Sequence, residues 1–206
     1  VTLEFNGSKQ LTGVAVEPSQ IKALIENGGL IQASDGTVIL SAHAKNQLLG
    51  GVVNNTGVIE ANGLVADGGR IMLRASDEIR LGGKITANAK EQSAGHGGNI
   101  TAIADLQNPS SVTWVSGTLE AKAGNLGGNG GFIETSANRV VVDTSAQVST
   151  HAPMGRSGLW LIDPQDFKIG VNGDIRATAL NAQLANTSVT ISSTQGTLNP
   201  NGGGDI

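Results

Sequence analysis

Apolar and polar residues alternate along this chain in short runs, and the runs recur. Gly36-Thr37-Val38-Ile39-Leu40-Ser41-Ala42 returns as Gly69-Arg70-Ile71-Met72-Leu73-Arg74-Ala75, as Gly98-Asn99-Ile100-Thr101-Ala102-Ile103-Ala104 and as Gly131-Phe132-Ile133-Glu134-Thr135-Ser136-Ala137. Gly158-Leu159-Trp160-Leu161-Ile162-Asp163 is a fifth, more apolar copy. Alternation with period two predicts strands with one buried face. The inward set is then Val38, Leu40 and Ala42, followed by Ile71, Leu73 and Ala75. Arg70, Arg74, Asn99 and Glu134 point to water.

A second pattern, Gly-x-apolar-x-Ala, runs in phase with the first. It occurs as Gly29-Leu30-Ile31-Gln32-Ala33, Gly57-Val58-Ile59-Glu60-Ala61, Gly83-Lys84-Ile85-Thr86-Ala87, Gly117-Thr118-Leu119-Glu120-Ala121 and Gly173-Asp174-Ile175-Arg176-Ala177, with a degenerate copy at 146–150. A third short apolar segment follows each first-type run, at 49–53, 78–81, 112–115, 140–142 and 167–171. Repeats at an interval of about 26–34 residues indicate a solenoid, a propeller or an array. Three short strands per repeat, separated by Gly, Asn and Asp, fit one coil of a parallel β-helix. Each coil returns one strand spacing higher, about 4.8 Å. Gly and Asn are expected at the corners because they tolerate positive φ. A propeller would need hairpins and usually a recurring aromatic signature. Aromatic residues make up 2% of the chain and Tyr is absent. The predicted class is therefore all-β: a parallel β-helix of three short strands per coil, with one or two short helical decorations. The helical candidates are 17–27, which begins with Pro18 and Ser19, and 177–185, where Leu180 and Leu184 fall on one side.

Composition narrows the partners. The chain has 206 residues, a formal net charge of −4 and no Cys. With Lys and Arg scattered, no basic stripe marks a nucleic-acid footprint. No apolar run of membrane length argues for insertion. The absence of Cys excludes disulfides and thiolate chemistry and fits an extracellular bacterial protein. Val1 follows no start Met, and 201–206 resembles the opening of another strand, so the chain is expected to be one continuous solenoid segment, residues 1–206, of a longer protein.

Each candidate for chemistry has a simpler reading. Ser19-Gln20-Ile21-Lys22 has the Ser-x-x-Lys spacing of acyl-enzyme nucleophiles, but Ser19 suits a helix cap. The Gly-rich run 124–131 is followed by a strand rather than the helix a phosphate loop requires, so it reads as a corner. His43, His96 and His151 are surface histidines with no zinc-type spacing. Asp163-Pro164 reads as a type I turn. Asp77, Glu78 and Asp105 do not recur on one strand face, as a polysaccharide lyase or hydrolase groove would need. Thr86, Thr101 and Thr135 form no flat ice-binding ladder. Trp160 and Trp114 are both assigned to the core, with a sugar-stacking platform as the alternative for Trp114. No catalytic, cofactor-binding or metal-binding residue is assigned, and an enzyme is not expected.

The segments ALIENGGLIQASDGTVILSAHA, VVNNTGVIEANGL and GGFIETSANRVVV, followed by GLWLIDPQDFKI and ALNAQLANTSVTI, resemble filamentous haemagglutinin-type exoproteins of Gram-negative bacteria over roughly residues 10–206. The resemblance implies a right-handed parallel β-helix in a large secreted adhesin, exported by two-partner secretion through a dedicated outer-membrane β-barrel transporter. It implies a secreted or cell-surface location, attachment to host-cell or surface glycans and proteins, and biofilm formation. Asn199-Pro200-Asn201-Gly202 spells the family's secretion motif, but it follows the repeats and is read as a turn. If the segment includes the end of the secretion domain, the boundary with the shaft falls near 163–173. Some relatives carry sugars on Asn-x-Ser/Thr sites, which match Asn6, Asn54, Asn99 and Asn186. The competing functions are a carbohydrate-active enzyme on the same scaffold and a spacer rod that binds nothing.

Overall fold

A computed structural model describes residues 2–5, 11–15, 23–43, 50–193 and 206. In chain order the strands are β1 Thr2–Phe5, β2 Leu11–Ala15, β3 Ala23–Asn27, β4 Leu30–Gln32, β5 Thr37–Ala42, β6 Gly51–Asn55, β7 Val58–Glu60, β8 Arg70–Ala75, β9 Glu78–Leu81, β10 Lys84–Thr86, β11 Asn99–Ala104, β12 Val112–Val115, β13 Thr118–Glu120, β14 Phe132–Ser136, β15 Arg139–Val142, β16 Gln147–Ser149 and β17 Leu159–Asp163; helix α1, Ala177–Leu184, and β18, Ser188–Ile191, complete the series.

These strands stack into three sheets. The first runs β1-β2-β5-β8-β11-β14-β17-β18, the second β3-β6-β9-β12-β15 and the third β4-β7-β10-β13-β16. Among the described residues every pairing between coils is parallel, and only β1 and β2 pair antiparallel. The chain is thus a parallel β-solenoid of about six turns. The predicted strand patterns fall where the alternation placed them, with Val38, Leu40, Ala42, Ile71, Leu73 and Ala75 all buried.

The core is built from columns. Register places Val38, Ile71, Ile100, Ile133 and Trp160 in one vertical row of the first sheet, and Leu40, Leu73, Ala102, Thr135 and Ile162 in the next. Ile31, Ile59, Ile85, Leu119 and Val148 form the row of the third sheet. β-Branched side chains suit such rows because each packs against its equivalent on the pleated surface above and below. Trp160 is wholly buried, as expected, and its Nε1–H donates to Thr135 Oγ1 at 3.1 Å. Thr135 supplies both the acceptor and the space for the indole in a row that otherwise holds aliphatic residues.

Several expectations are corrected. Residues 23–27 are strand β3, not the second half of a helix; 17–22 lie outside the described residues, as do Ser19, Lys22 and the turn at 199–202. Ala23, Ile25 and Asn27 face inward, and Asn27 Nδ2 donates to Asn55 Oδ1 at 2.8 Å inside the solenoid. The repeated glycines at the corners serve close approach rather than positive φ. A Cβ on Gly57 would lie 2.2 Å from Gly29 O, on Gly83 2.0 Å from Gly57 O, and on Gly117 2.0 Å from Gly83 O. Consecutive coils therefore touch backbone to backbone along this edge.

The last turn departs from the repeat. Residues 167–171 form no strand; Ile169 makes one isolated bridge, to Ile175. The Gly-x-apolar-x-Ala copy at 173–177 instead leads into α1. The helix is where the sequence placed it, but Ala179 and Gln183 are its buried residues, while Leu184 is exposed. The helix lies over the edge of β16, where a sixth strand of the third sheet would otherwise pair.

Candidate functional site

Outward side chains and corner loops are what a solenoid offers a partner. At the corner between the third and first sheets, side chains continue the hydrogen-bonded ladder beyond the strands. Asn62 Oδ1 accepts from Asn88 N at 2.9 Å, and Asn88 Oδ1 from Lys122 N at 2.8 Å. Alongside, Asp67 Oδ1 accepts from His96 N at 2.7 Å, His96 Nδ1 from Asn129 N at 2.9 Å, and Asn129 Oδ1 from Arg156 N at 3.0 Å. Each side chain satisfies the N–H one coil above, so the polar groups of the loop backbone are not left unpaired.

The two longest loops of this corner, 89–97 and 122–130, are bound to each other. Asn125 N donates to Glu91 O at 2.7 Å, Leu126 N to Ser93 O at 2.9 Å, and Gly124 N to Gly95 O at 3.0 Å. The Gly-rich run 124–131 is the corner it was read to be. Leu64, Val65, Leu126 and Met154 stand exposed on the loops of this corner. Another long loop, 105–111, sits at a different corner, between the first and second sheets. There Asn108 Nδ2 donates to Asp77 Oδ1 at 2.7 Å and to Ser76 O at 2.8 Å.

On the outward face of the third sheet, Glu120 collects two donors. Lys122 Nζ approaches Glu120 Oε1 to 2.5 Å and Asn88 Nδ2 reaches Oε2 at 3.1 Å. Burial alone would raise this carboxyl. The hydrogen bonds from Lys122 and Asn88, with the charges of Lys122 and Lys84, outweigh it and lower it. An open groove of about 700 Å³ runs between this face and α1, lined among others by Glu120, Lys122, His151 and Asn186.

Asp163 behaves oppositely. Its residue is only 8% exposed, which the turn reading did not anticipate. Burial and the nearby charge of Glu134 raise its carboxyl, against a hydrogen bond with Ser192 that lowers it. Oδ1 has no hydrogen-bond partner among the described residues. Nothing in the sequence pattern distinguishes this aspartate from a turn residue, because its burial comes from β18 closing over β17.

The outward face of the second sheet carries a row Glu26, Asn54, Arg80, Trp114, Val141, one residue per coil. Trp114 is 40% exposed, so its assignment to the core is overturned. The neighbouring Thr113 takes the inward place, donating Oγ1–H to Ser136 O at 3.0 Å. Arg80 is clamped by Glu78 through Nε–Oε1 at 2.8 Å and Nη2–Oε2 at 3.2 Å. These hydrogen bonds and the Glu78 charge raise Arg80 further above its ordinary value.

Of the candidate glycosylation positions, Asn6 lies outside the described residues. Asn54 is on the outward face of the second sheet, Asn99 begins β11 in the first, and Asn186 is exposed beyond α1, its carbonyl accepting from Thr150 N at 3.2 Å. The fold does not bring them together. His43, His96 and His151 are all exposed. Among the described residues no group of three His, Cys, Asp or Glu is arranged to hold a metal ion, and no helix is long and apolar enough to cross a membrane.

No protein-family model matches the chain, and no solved structure matches it. Over 126 residues it is 29% identical to the heme/hemopexin-binding protein of Haemophilus influenzae. That alignment takes in 57% of this chain and 13% of the relative, so the chain corresponds to a small part of that much longer protein.

Proposed function

We propose that this chain is a rod-forming and binding segment of a secreted, cell-surface exoprotein of the filamentous haemagglutinin type, exported by two-partner secretion. The observation that carries this reading is the continuous stacking of coils, extended past the strands by the Asn62–Asn88 and Asp67–His96–Asn129 corner ladders. Stacked coils transmit stiffness along the axis and repeat the same surface at each level. The similarity to a heme/hemopexin-binding protein supports a role in contacting host molecules. Export fits the same architecture, since a chain emerging unfolded from an outer-membrane transporter can add one coil to the preceding one.

The segment acts without catalysis. Its contacts to host proteins or glycans are individually weak and gain strength by repetition, which supports attachment and biofilm formation. The test is binding of the immobilised chain to hemopexin, to heme and to cultured cells, beside variants with 89–97, 105–111 or 122–130 replaced by Gly-Ser linkers. Binding that disappears with one loop locates the contact there. A folded chain that binds none of these probes overturns the binding half of the reading and leaves a spacer rod.

A further inference from the structure

Trp114 stands on an outward sheet face, and its surroundings are more specific than an exposed aromatic requires. The indole borders a groove of about 480 Å³ lined by Asn54, Thr56, Arg80, Gly82, Trp114 and Ser116. These residues come from three successive coils, β6 and its following turn, β9 and its turn, and β12 and its turn. Cross-strand packing with Arg80 accounts for a tryptophan in this row. It does not account for the convergence of an amide, a guanidinium and two hydroxyls on the same space.

The groove has one apolar wall and an otherwise polar lining. Arg80 is held by two hydrogen bonds to Glu78, which fixes the guanidinium plane, neutralises its charge and leaves its other N–H groups without a partner among the described residues. Gly82 leaves the floor open: a Cβ there would have nothing nearer than Asn55 O at 3.6 Å and Ser116 Oγ at 3.7 Å. Hydroxyls and amides serve as donors and acceptors alike, and the indole stands open to water, whereas a protein hot spot sits in a fully desolvated pocket.

We propose that this groove binds a neutral pyranose sugar of a glycan. The ring's C–H face lies on the indole, and its rim hydroxyls bond the Arg80 N–H groups, the Asn54 amide and the hydroxyls of Thr56 and Ser116. The Glu78–Arg80 pair carries no net charge, so the groove favours neutral glycans over sialylated or sulfated ones. Successive coils are about 4.8 Å apart, close to the length of one sugar unit, so a glycan running along the axis meets Trp114, Arg80 and Asn54 in turn. This inference rests on the proposal that the segment binds host surfaces, and names one of its ligands.

The chain contains its own reporter. Its two tryptophans are Trp114, exposed, and Trp160, wholly buried, so a glycan on the outer face perturbs the fluorescence of the first alone. The experiment is a glycan array carrying neutral, sialylated and sulfated oligosaccharides. Any neutral trisaccharide hit is then titrated by isothermal titration calorimetry against the wild-type chain, Trp114→Ala, Trp114→Phe and Arg80→Ala, with tryptophan fluorescence followed in the two proteins that keep Trp114. Circular dichroism confirms that each variant is folded. The expected result is saturable binding of a neutral glycan, weakened at least tenfold in Trp114→Ala and Arg80→Ala and less in Trp114→Phe. Equal binding by wild type and Trp114→Ala overturns the site, as does a preference for sulfated or sialylated chains. If the chain binds hemopexin or cells through Trp114 but no glycan, the groove is a protein contact and this inference fails while the proposed function stands. If the chain binds no probe of either kind, this inference and the binding half of the proposed function fail together.

Discussion

The side chain of Gln183 does the work of a strand residue opposite Gln147. Its Nε2 donates to Ala146 O at 3.0 Å and its Oε1 accepts from Val148 N at 2.7 Å, bracketing Gln147 as the backbone of a sixth parallel strand would. Helix α1 thereby covers the edge of β16 without extending the third sheet. Gln183→Ala leaves a buried carbonyl and a buried N–H unpaired. The expected loss is about 2–6 kcal/mol, from roughly 1–3 kcal/mol per orphaned group, read by urea denaturation. Unchanged stability would show that the helix is held by apolar contact alone.

Adjacent glycines should respond differently to the same change. Ala at Gly83 places a methyl 2.0 Å from the carbonyl oxygen of Gly57, so two coils must part. Ala at Gly82 meets nothing within 3.5 Å. Gly83→Ala is expected to cost at least about 1–3 kcal/mol, the scale of overpacking, and Gly82→Ala to fall within roughly 0.5 kcal/mol of wild type. Thermal unfolding of the two variants side by side checks this. Equal effects would mean that these glycines act through the flexibility of the unfolded chain.

The inward rows of the β-helix were legible in the sequence because period-two alternation and a fixed interval are enough to specify which residues stack. The alternation misleads where a polar residue turns inward. Asn27 breaks the apolar alternation of β3, and helix-like spacing filled the gap; only its register with Asn55 explains it. Thr113 and Trp114 are exchanged from the order that hydrophobicity suggests. Thr113 is tolerated inside because Ser136 O accepts its hydroxyl proton, a contact 23 residues distant in sequence. The Glu120–Lys122–Asn88 cluster was visible in part: alternation in β13 points Glu120 outward, but Asn88 joins it only through coil stacking. Asp163 was not legible at all, since its burial depends on β18.

The Trp160–Thr135 contact offers a test of how a large residue is held in a narrow row. Thr135→Val keeps the shape and removes the acceptor, leaving the indole N–H buried and unpaired. A loss of about 1–3 kcal/mol is expected, with Trp160 emission shifted to shorter wavelength as its polar neighbour is lost. Trp114→Phe, used as background, removes the second fluorophore. An unchanged spectrum together with unchanged stability would show that this hydrogen bond contributes nothing.

Asp163 and Glu120 should tilt stability with pH in opposite directions. Asp163 is raised in the folded chain above its ordinary 3.8, so the fold prefers its protonated form. Its contribution is present in full below pH 3.8 and is lost as pH rises through the elevated folded value. Glu120 is lowered from its ordinary 4.5, so its contribution is present above pH 4.5 and is lost as pH falls through the depressed folded value. Asp163→Asn is therefore expected to gain on the wild type as pH rises from about 4 toward 7, with the two converging at lower pH. Glu120→Gln should do the reverse, losing most near neutrality and approaching wild type in acid. The Glu120 effect is expected to be the smaller, since Lys122 is partly exposed and water and salt screen the pair. Urea unfolding midpoints of the three proteins between pH 3 and 7.5 decide the matter. Parallel curves for Asp163→Asn and wild type would mean that water reaches the Asp163 carboxylate and that β18 does not seal it.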